Sequence, residues 1–275
     1  MSASALPWRA ALVTGASSGI GAAMARELAT RGTSALTLVA RRRDRLEALA
    51  AELTERHGTL TEVLVADLAD AGDLGRVEAR LADRARPVDL LVNNAGTGTS
   101  GRFVGLPADG EEHVVRLNVV APVRLTAAAL PAMVARRWGT VLQVSSLAAY
   151  APAPGNATYA GSKAFLTTWS EGLHEELRGT GVTVTVVCPG FTRTEFAERV
   201  GDSDFNAAPG VLWMSAETVA HEGLEAAARG RALSIPGLGY KATAAALTPL
   251  PRSTRRWLVG RTAGGLTRLA RRRRG

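Results

Sequence analysis

Seven short, mostly uncharged apolar runs alternate along the chain with longer stretches of helical spacing. The runs are 10–14 (AALVT), 35–40 (ALTLVA), 61–66, 89–93 (DLLVN), 140–145 (TVLQVS), 182–188 (VTVTVVC) and a short one at 232–235. Helical spacing covers 20–31, 43–57, 74–85, 111–134, 157–177 and 216–228. Strands that alternate with helices and are apolar on both faces belong in a parallel sheet covered on both sides. Right-handed crossovers then wind the chain both ways from its first strand. The pattern predicts one α/β domain over 8–238, with a seven-stranded parallel sheet and helices on both faces. No internal repeat interrupts it.

Composition narrows the function. With 275 residues and 46% hydrophobic side chains the chain fills a large core, which excludes wholesale disorder. One cysteine, Cys188, excludes a disulfide framework and a cysteine-based zinc site. The four histidines have no metal-ligand spacing, so no metal is expected. The start, MSASALPWRA, lacks a basic end followed by an apolar run, so no signal peptide is expected. No run of about 18 uncharged apolar residues suggests a membrane span, and the expected address is cytoplasmic. The net charge of +8 divides unevenly: residues 226–275 carry +12, leaving −4 on the first 225. An acidic body does not predict a nucleic-acid-binding domain.

Three groups of residues carry the chemistry. First, 10–14 runs into Thr14-Gly15-Ala16-Ser17-Ser18-Gly19-Ile20-Gly21 and then a helix. Glycines there let a pyrophosphate approach the backbone at a helix N-terminus. Second, the residue about 20 positions beyond the glycines selects the cofactor. An acid would bind the 2′-OH of NAD, but here stands Arg41, suited to the 2′-phosphate of NADP(H), with Ser17 as a second contact. Third, Tyr159 and Lys163 are four apart on one predicted helix face. A nearby ammonium lowers a phenol from about 10 toward working pH, so the tyrosine exchanges a proton with a carbonyl or alcohol oxygen. The chain holds 31 arginines and two lysines, so a lysine here points to a need for a compact ammonium.

The turn TGASSGIG resembles the TGxxxGxG fingerprint of the short-chain dehydrogenase/reductase family. Asn93-Asn94-Ala95-Gly96, Asn118, Ser146, Tyr159-x3-Lys163 and Pro189-Gly190-x-Thr192 follow in the family's order, so the resemblance covers about 8–238. It implies a Rossmann-type fold and a ketone reductase or, in reverse, an alcohol dehydrogenase. A dinucleotide sensor without catalysis is the rival from another class. By the same resemblance Ser146 hydrogen-bonds the substrate oxygen, with Ser145 its near competitor, and Asn118 supports a proton path to Lys163. Lys163 would also hold the nicotinamide ribose. Asn94, Ala95 and Gly96 line the adenine-ribose side, Asp67 contacts adenine, and Pro189, Gly190 and Thr192 or Thr194 frame the nicotinamide. Cys188 reads as an inert buried thiol.

Residues 233–261 are similar to a reductase subgroup acting on lipid-like 3-oxoacyl groups, which includes mycolate-precursor reductases. Steroid, polyketide and small aliphatic ketones stand beside that substrate. Residues 191–214 lack periodicity and are expected to act as a lid walled by Phe191, Phe196, Phe205, Leu212 and Trp213. The basic extension, 239–275, ends in nine arginines from Arg252 onward, with Trp257, Leu258, Val259, Leu266 and Leu269 among them. Three readings apply to it: a membrane-surface contact, a solvated tail, or docking on the domain or on a second copy in a homo-oligomer.

Overall fold

The apolar runs pair into one sheet in the computed structural model, which describes residues 5–150, 154–196, 210–251 and 253–256. Phe205, most of the expected lid and the tail from Trp257 onward lie outside the described residues. The strands are β1 (Ala10–Thr14), β2 (Ala35–Ala40), β3 (Leu60–Val65), β4 (Leu90–Asn93), β5 (Gly139–Val144), β6 (Val182–Val187) and β7 (Leu233–Ser234). All pair in parallel, in the order β3-β2-β1-β4-β5-β6-β7. The chain leaves β1 toward β2 and β3, then returns to place β4 on the other side. The ends of β1 and β4 therefore border the crevice where open α/β sheets bind ligands.

Strand alternation sorts the core into two layers. Ala11 and Val13 pack with Met24, Leu28, Leu46 and Leu53 of α1 (Gly19–Thr30) and α2 (Arg43–His57), and with Val219 and Leu224 of α7 (Ala216–Ala228). Leu12, Leu91 and Val184 face the other way, onto Leu74 and Val77 of α3 (Ala71–Ala82) and Leu125 and Met133 of α5 (Ala121–Arg136). Burial on both faces is why these strands carry so few polar residues. α6 (Ala157–Glu176) covers the second layer next to β6, and α8 (Leu238–Leu247) closes the described body.

The differences from the sequence reading are local. α3 begins three residues early because Asp70 caps it, accepting from Gly72 N and Asp73 N at 2.9 Å each. The single helix expected over 111–134 starts earlier as α4 (Ala108–Val115) and passes through a wide π turn, Arg116–Val120, before α5. That turn holds Asn118, which is 1% exposed. The combined helix, Ala108–Arg136, is long and apolar enough to cross a membrane by length and composition. Its Leu125, Ala129 and Met133 face the core, Val115, Val120 and Val134 are exposed, and Arg124 ion-pairs with Glu78 of α3.

Candidate active site

The glycine-rich turn leaves β1 with Gly15 at φ +65° and Gly19 at φ +55°. Gly21 packs where no side chain fits: a Cβ there would stand 2.4 Å from Gly15 O and 2.5 Å from Asn94 Nδ2. This is the close backbone approach a pyrophosphate cradle requires, at the N-terminus of α1 and beside the hydroxyls of Ser17 and Ser18. Ile20 turns inward and packs against the core. The residues present thus fit a dinucleotide.

Asn94 is engaged in holding that turn. Its Nδ2 donates to Thr14 O at 2.9 Å and Gly15 O at 3.3 Å. Thr14 Oγ1 donates to Val92 O and accepts from Asn94 N and Ala95 N at 2.9 and 3.0 Å. Thr14 therefore stitches the ends of β1 and β4 together. The sequence reading included it only as part of a motif, because its role depends on a strand 80 residues away.

The cationic corner differs from the expectation. Arg41 is the exposed neighbour, 58% open along its side chain, and among the described residues it pairs with Asp67 at 3.6 Å. Asp67 is otherwise used locally: its carboxylate accepts from Ala69 N, and its N–H donates to Asp73. Arg42 turns into the site instead. Its Nε and Nη2 donate to Ser17 Oγ at 3.2 and 2.9 Å, and Nη2 also donates to Ser18 Oγ at 2.8 Å. Counting about 20 positions finds the corner but does not choose between adjacent side chains that leave the end of β2 in opposite directions.

The second half of the site gathers at the ends of β5 and β6. Ser145 and Ser146 separate cleanly. Ser145 is buried and ties the strand to α6, donating to Lys163 O at 2.9 Å and lying 2.8 Å from Thr167 Oγ1. Ser146 Oγ accepts from Ala148 N at 3.1 Å, and its hydroxyl acts on the Tyr159 phenol, holding it lower than burial alone would. Lys163 is 5% exposed, donates to Val144 O at 2.9 Å and lies 5.8 Å from the Tyr159 ring centroid. Phe196 packs on the Tyr159 ring at 5.5 Å.

Asn118 Oδ1 accepts from Thr97 N at 2.9 Å, and its Nδ2 donates to Thr97 O at 2.8 Å and Ser162 Oγ at 3.0 Å. A Cβ on Gly96 would lie 3.3 Å from Asn118 Oδ1 and 3.5 Å from Lys163 Nζ, so the two side chains converge on that glycine. Ser162 and Thr97 were absent from the sequence reading.

The protonation states correct one expectation. Loss of hydration raises the Tyr159 phenol above its ordinary value, outweighing a smaller lowering from Ser146. The same effect brings the Lys163 ammonium down to about 8. A lysine held on a backbone carbonyl does not pull this phenol down; desolvation dominates. Tyr159 is a neutral phenol at pH 7. Burial also pushes the Cys188 thiol up to about 11, in keeping with an inert thiol.

After β6, Pro189 O accepts from Leu147 N at 2.9 Å, joining the two strand ends. Thr192 Oγ1 donates to Gly190 O at 3.0 Å, and Thr194 lies over Gly19, whose Cβ would meet the threonine methyl at 3.0 Å. The Tyr240 ring packs on Gly190, and its hydroxyl donates to Leu212 O at 2.6 Å and accepts from Phe191 N. Phe191 and Trp213 pack at a tilt nearby, with centroids 5.6 Å apart. Tyr240 is thus an anchor contributed by the extension. A separate cavity of about 1360 Å³ lies between α6, β7 and α8; Ser146, Tyr159 and Lys163 are not in its wall.

A family model described as short chain dehydrogenase matches residues 9–204. The chain belongs to the short-chain dehydrogenase family. This dehydrogenase is 35% identical over 193 residues to a very-long-chain 3-oxoacyl-CoA reductase of Anas platyrhynchos, covering 68% of this chain and 61% of that protein. It thus spans under two thirds of that relative's length. Among solved structures it is similar to a short-chain dehydrogenase from Sphingobium yanoikuyae in complex with NADPH. There the TM-score is 0.81 with 40% identity, over 87% of this chain and 92% of that one. It is also similar to a bulky-bulky ketone specific alcohol dehydrogenase from Comamonas testosteroni, with TM-score 0.77 and 34% identity over 88% and 91% of the two chains. The dehydrogenase is accordingly an oxidoreductase with a seven-stranded Rossmann-type sheet.

Proposed function

We propose that the dehydrogenase uses NADP(H) to reduce a bulky, lipid-like ketone, a 3-oxoacyl group being the favoured class, to a secondary alcohol. The observation that carries this reading is the neutral Tyr159, with Nζ of the buried Lys163 5.8 Å from its ring and with Ser146 acting on its phenol. It stands at the same sheet edge as the glycine cradle. A neutral phenol is the form that gives up a proton, which favours reduction over alcohol oxidation.

The turn from Gly15 to Gly21 would hold the pyrophosphate, and Ser17 with Arg42 the 2′-phosphate. Asn94, Ala95 and Gly96 would border the adenosine side, and Pro189 through Thr194 the nicotinamide. When bound, the nicotinamide supplies the hydride that the carbonyl carbon receives. Ser146 donates a hydrogen bond that orients the carbonyl oxygen. Tyr159 Oη transfers its proton to that oxygen as negative charge develops there. Lys163 stabilises the phenolate left behind and returns a proton to it, while Asn118 holds the wall of the proton path through Thr97 and Ser162. Such acid catalysis is worth about 10²–10⁴ in rate.

Phe191, Trp213 and Phe196 give the site an apolar wall suited to a bulky or acyl-chain ketone. The substrates named for the Anas and Comamonas proteins support the same class. Phe165, exposed on α6 and stacked at 6.0 Å on the half-buried Trp169, is where a second copy of the chain would pack.

The test is NADPH oxidation by the full chain with β-keto esters of rising acyl length, beside cyclic and small ketones. The proposal expects turnover that improves with chain length. NADPH binding without turnover of any carbonyl would favour a sensor instead.

A further inference from the structure

Both oxygens of the Glu195 carboxylate are held by arginines of the corner assigned to the cofactor. Arg42 Nη1 donates to Glu195 Oε2 at 2.8 Å, and Arg45 Nη1 donates to Oε1. The rest of the Arg42 guanidinium is spread over Ser17 and Ser18. A carboxylate bridging two guanidiniums uses the planar, charge-assisted donors that a phosphate also requires. Glu195 comes from the far end of the chain relative to Arg42, after β6, so this contact is made by tertiary structure alone. The paired arginines hold its carboxyl down at about 2, and it is anionic at any working pH.

We propose that Glu195 is an internal competitor of the cofactor's 2′-phosphate and so sets the preference between phosphorylated and unphosphorylated dinucleotides. This rests on the reading that Arg42 takes the 2′-phosphate. The arginines are engaged before the cofactor arrives, and a 2′-phosphate must displace the carboxylate to reach them. With about −1.5 to −2 charges against one, the phosphate wins, but with less affinity than an open pair of arginines would give. A dinucleotide that lacks the phosphate leaves the contact in place.

Position extends the consequence. Thr194 lies over Gly19 of the glycine-rich turn, and Phe196 packs on Tyr159. Glu195 therefore joins the cofactor corner to the segment that touches the proton donor. Release of the carboxylate by the 2′-phosphate loosens the anchor that Arg42 and Arg45 make on that segment.

The experiment needs neither substrate nor turnover. Wild type and Glu195→Gln are titrated calorimetrically with 2′,5′-ADP, which carries the 2′-phosphate, and with 5′-AMP, which does not. Glu195 is partly exposed, and an unchanged melting temperature certifies the variant's fold. The variant should bind 2′,5′-ADP roughly two- to fivefold more tightly, the scale of a partly exposed charge pair, with 5′-AMP unchanged. Equal or weaker binding of 2′,5′-ADP by the variant, with its preference over 5′-AMP intact, overturns the competitor alone. If neither protein prefers 2′,5′-ADP over 5′-AMP, the assignment of the corner to NADP(H) falls and the competitor with it.

Discussion

Lys163 Nζ donates at 2.9 Å to the carbonyl of Val144, the last residue of β5, and lies 5.8 Å from the Tyr159 ring centroid. The lysine is thus fixed by the sheet rather than by the tyrosine. Burial brings that ammonium down to about 8, so it is charged below that pH and neutral above it. Ketone reduction should therefore decline as pH rises through about 8, while Tyr159 stays protonated. A pH profile of kcat checks this, and Lys163→Gln should lack the decline. A flat wild-type profile from pH 6 to 10 would contradict it.

The two adjacent arginines should behave differently. Arg42→Ala removes the guanidinium over Ser17 and Ser18 and should weaken NADPH binding by roughly 10–150-fold, the equivalent of about 1.5–3 kcal/mol. Arg41→Ala, at an exposed side chain 3.6 Å from Asp67, should change it by less than about threefold. Fluorescence titration with NADPH and NADH measures both. A larger effect from Arg41 would return the 2′-phosphate to that residue.

Ser145 and Ser146 offer a paired test. Ser146→Ala should lower kcat by roughly 10²–10³, the scale of losing one donor to a developing oxyanion. Ser145→Ala removes a bond between the strand end and α6 and should cost about 1 kcal/mol of stability with kcat nearly kept. Urea unfolding and steady-state rates on the same samples separate the two roles, and equal losses of kcat would remove the distinction.

At Gly21 a methyl group would stand 2.4 Å from a backbone oxygen, and that oxygen belongs to the turn itself. Gly21→Ala should destabilise the protein by about 1–3 kcal/mol, the range for forced overpacking, and weaken cofactor binding as the turn opens. An unchanged denaturation midpoint would show that the turn yields more easily than its packing suggests.

The parallel sheet was legible because β1, β2 and β4 are largely apolar on both faces, and that pattern has few other uses. Tyr159 and Lys163 were legible because a helix brings i and i+4 together whatever surrounds it. Long-range choices were not. Nothing near Arg42 in the chain says that its side chain, and not that of Arg41, lies over Ser17. Glu195 carries no local signal at all, because its partners stand some 150 residues earlier. The expected fall in the Tyr159 pKa failed for the same reason. Spacing gives the distance to an ammonium, but the competing desolvation depends on everything packed around the ring.

The central claim is that Tyr159 delivers the proton in an NADPH-dependent ketone reduction. Tyr159→Phe removes only the hydroxyl, so the decisive measurement is its single-turnover rate with a β-keto ester beside its NADPH affinity. The account predicts NADPH binding within about twofold of wild type and a rate lower by roughly 10²–10⁴. A variant that binds NADPH normally and keeps more than about a tenth of the wild-type rate would contradict it.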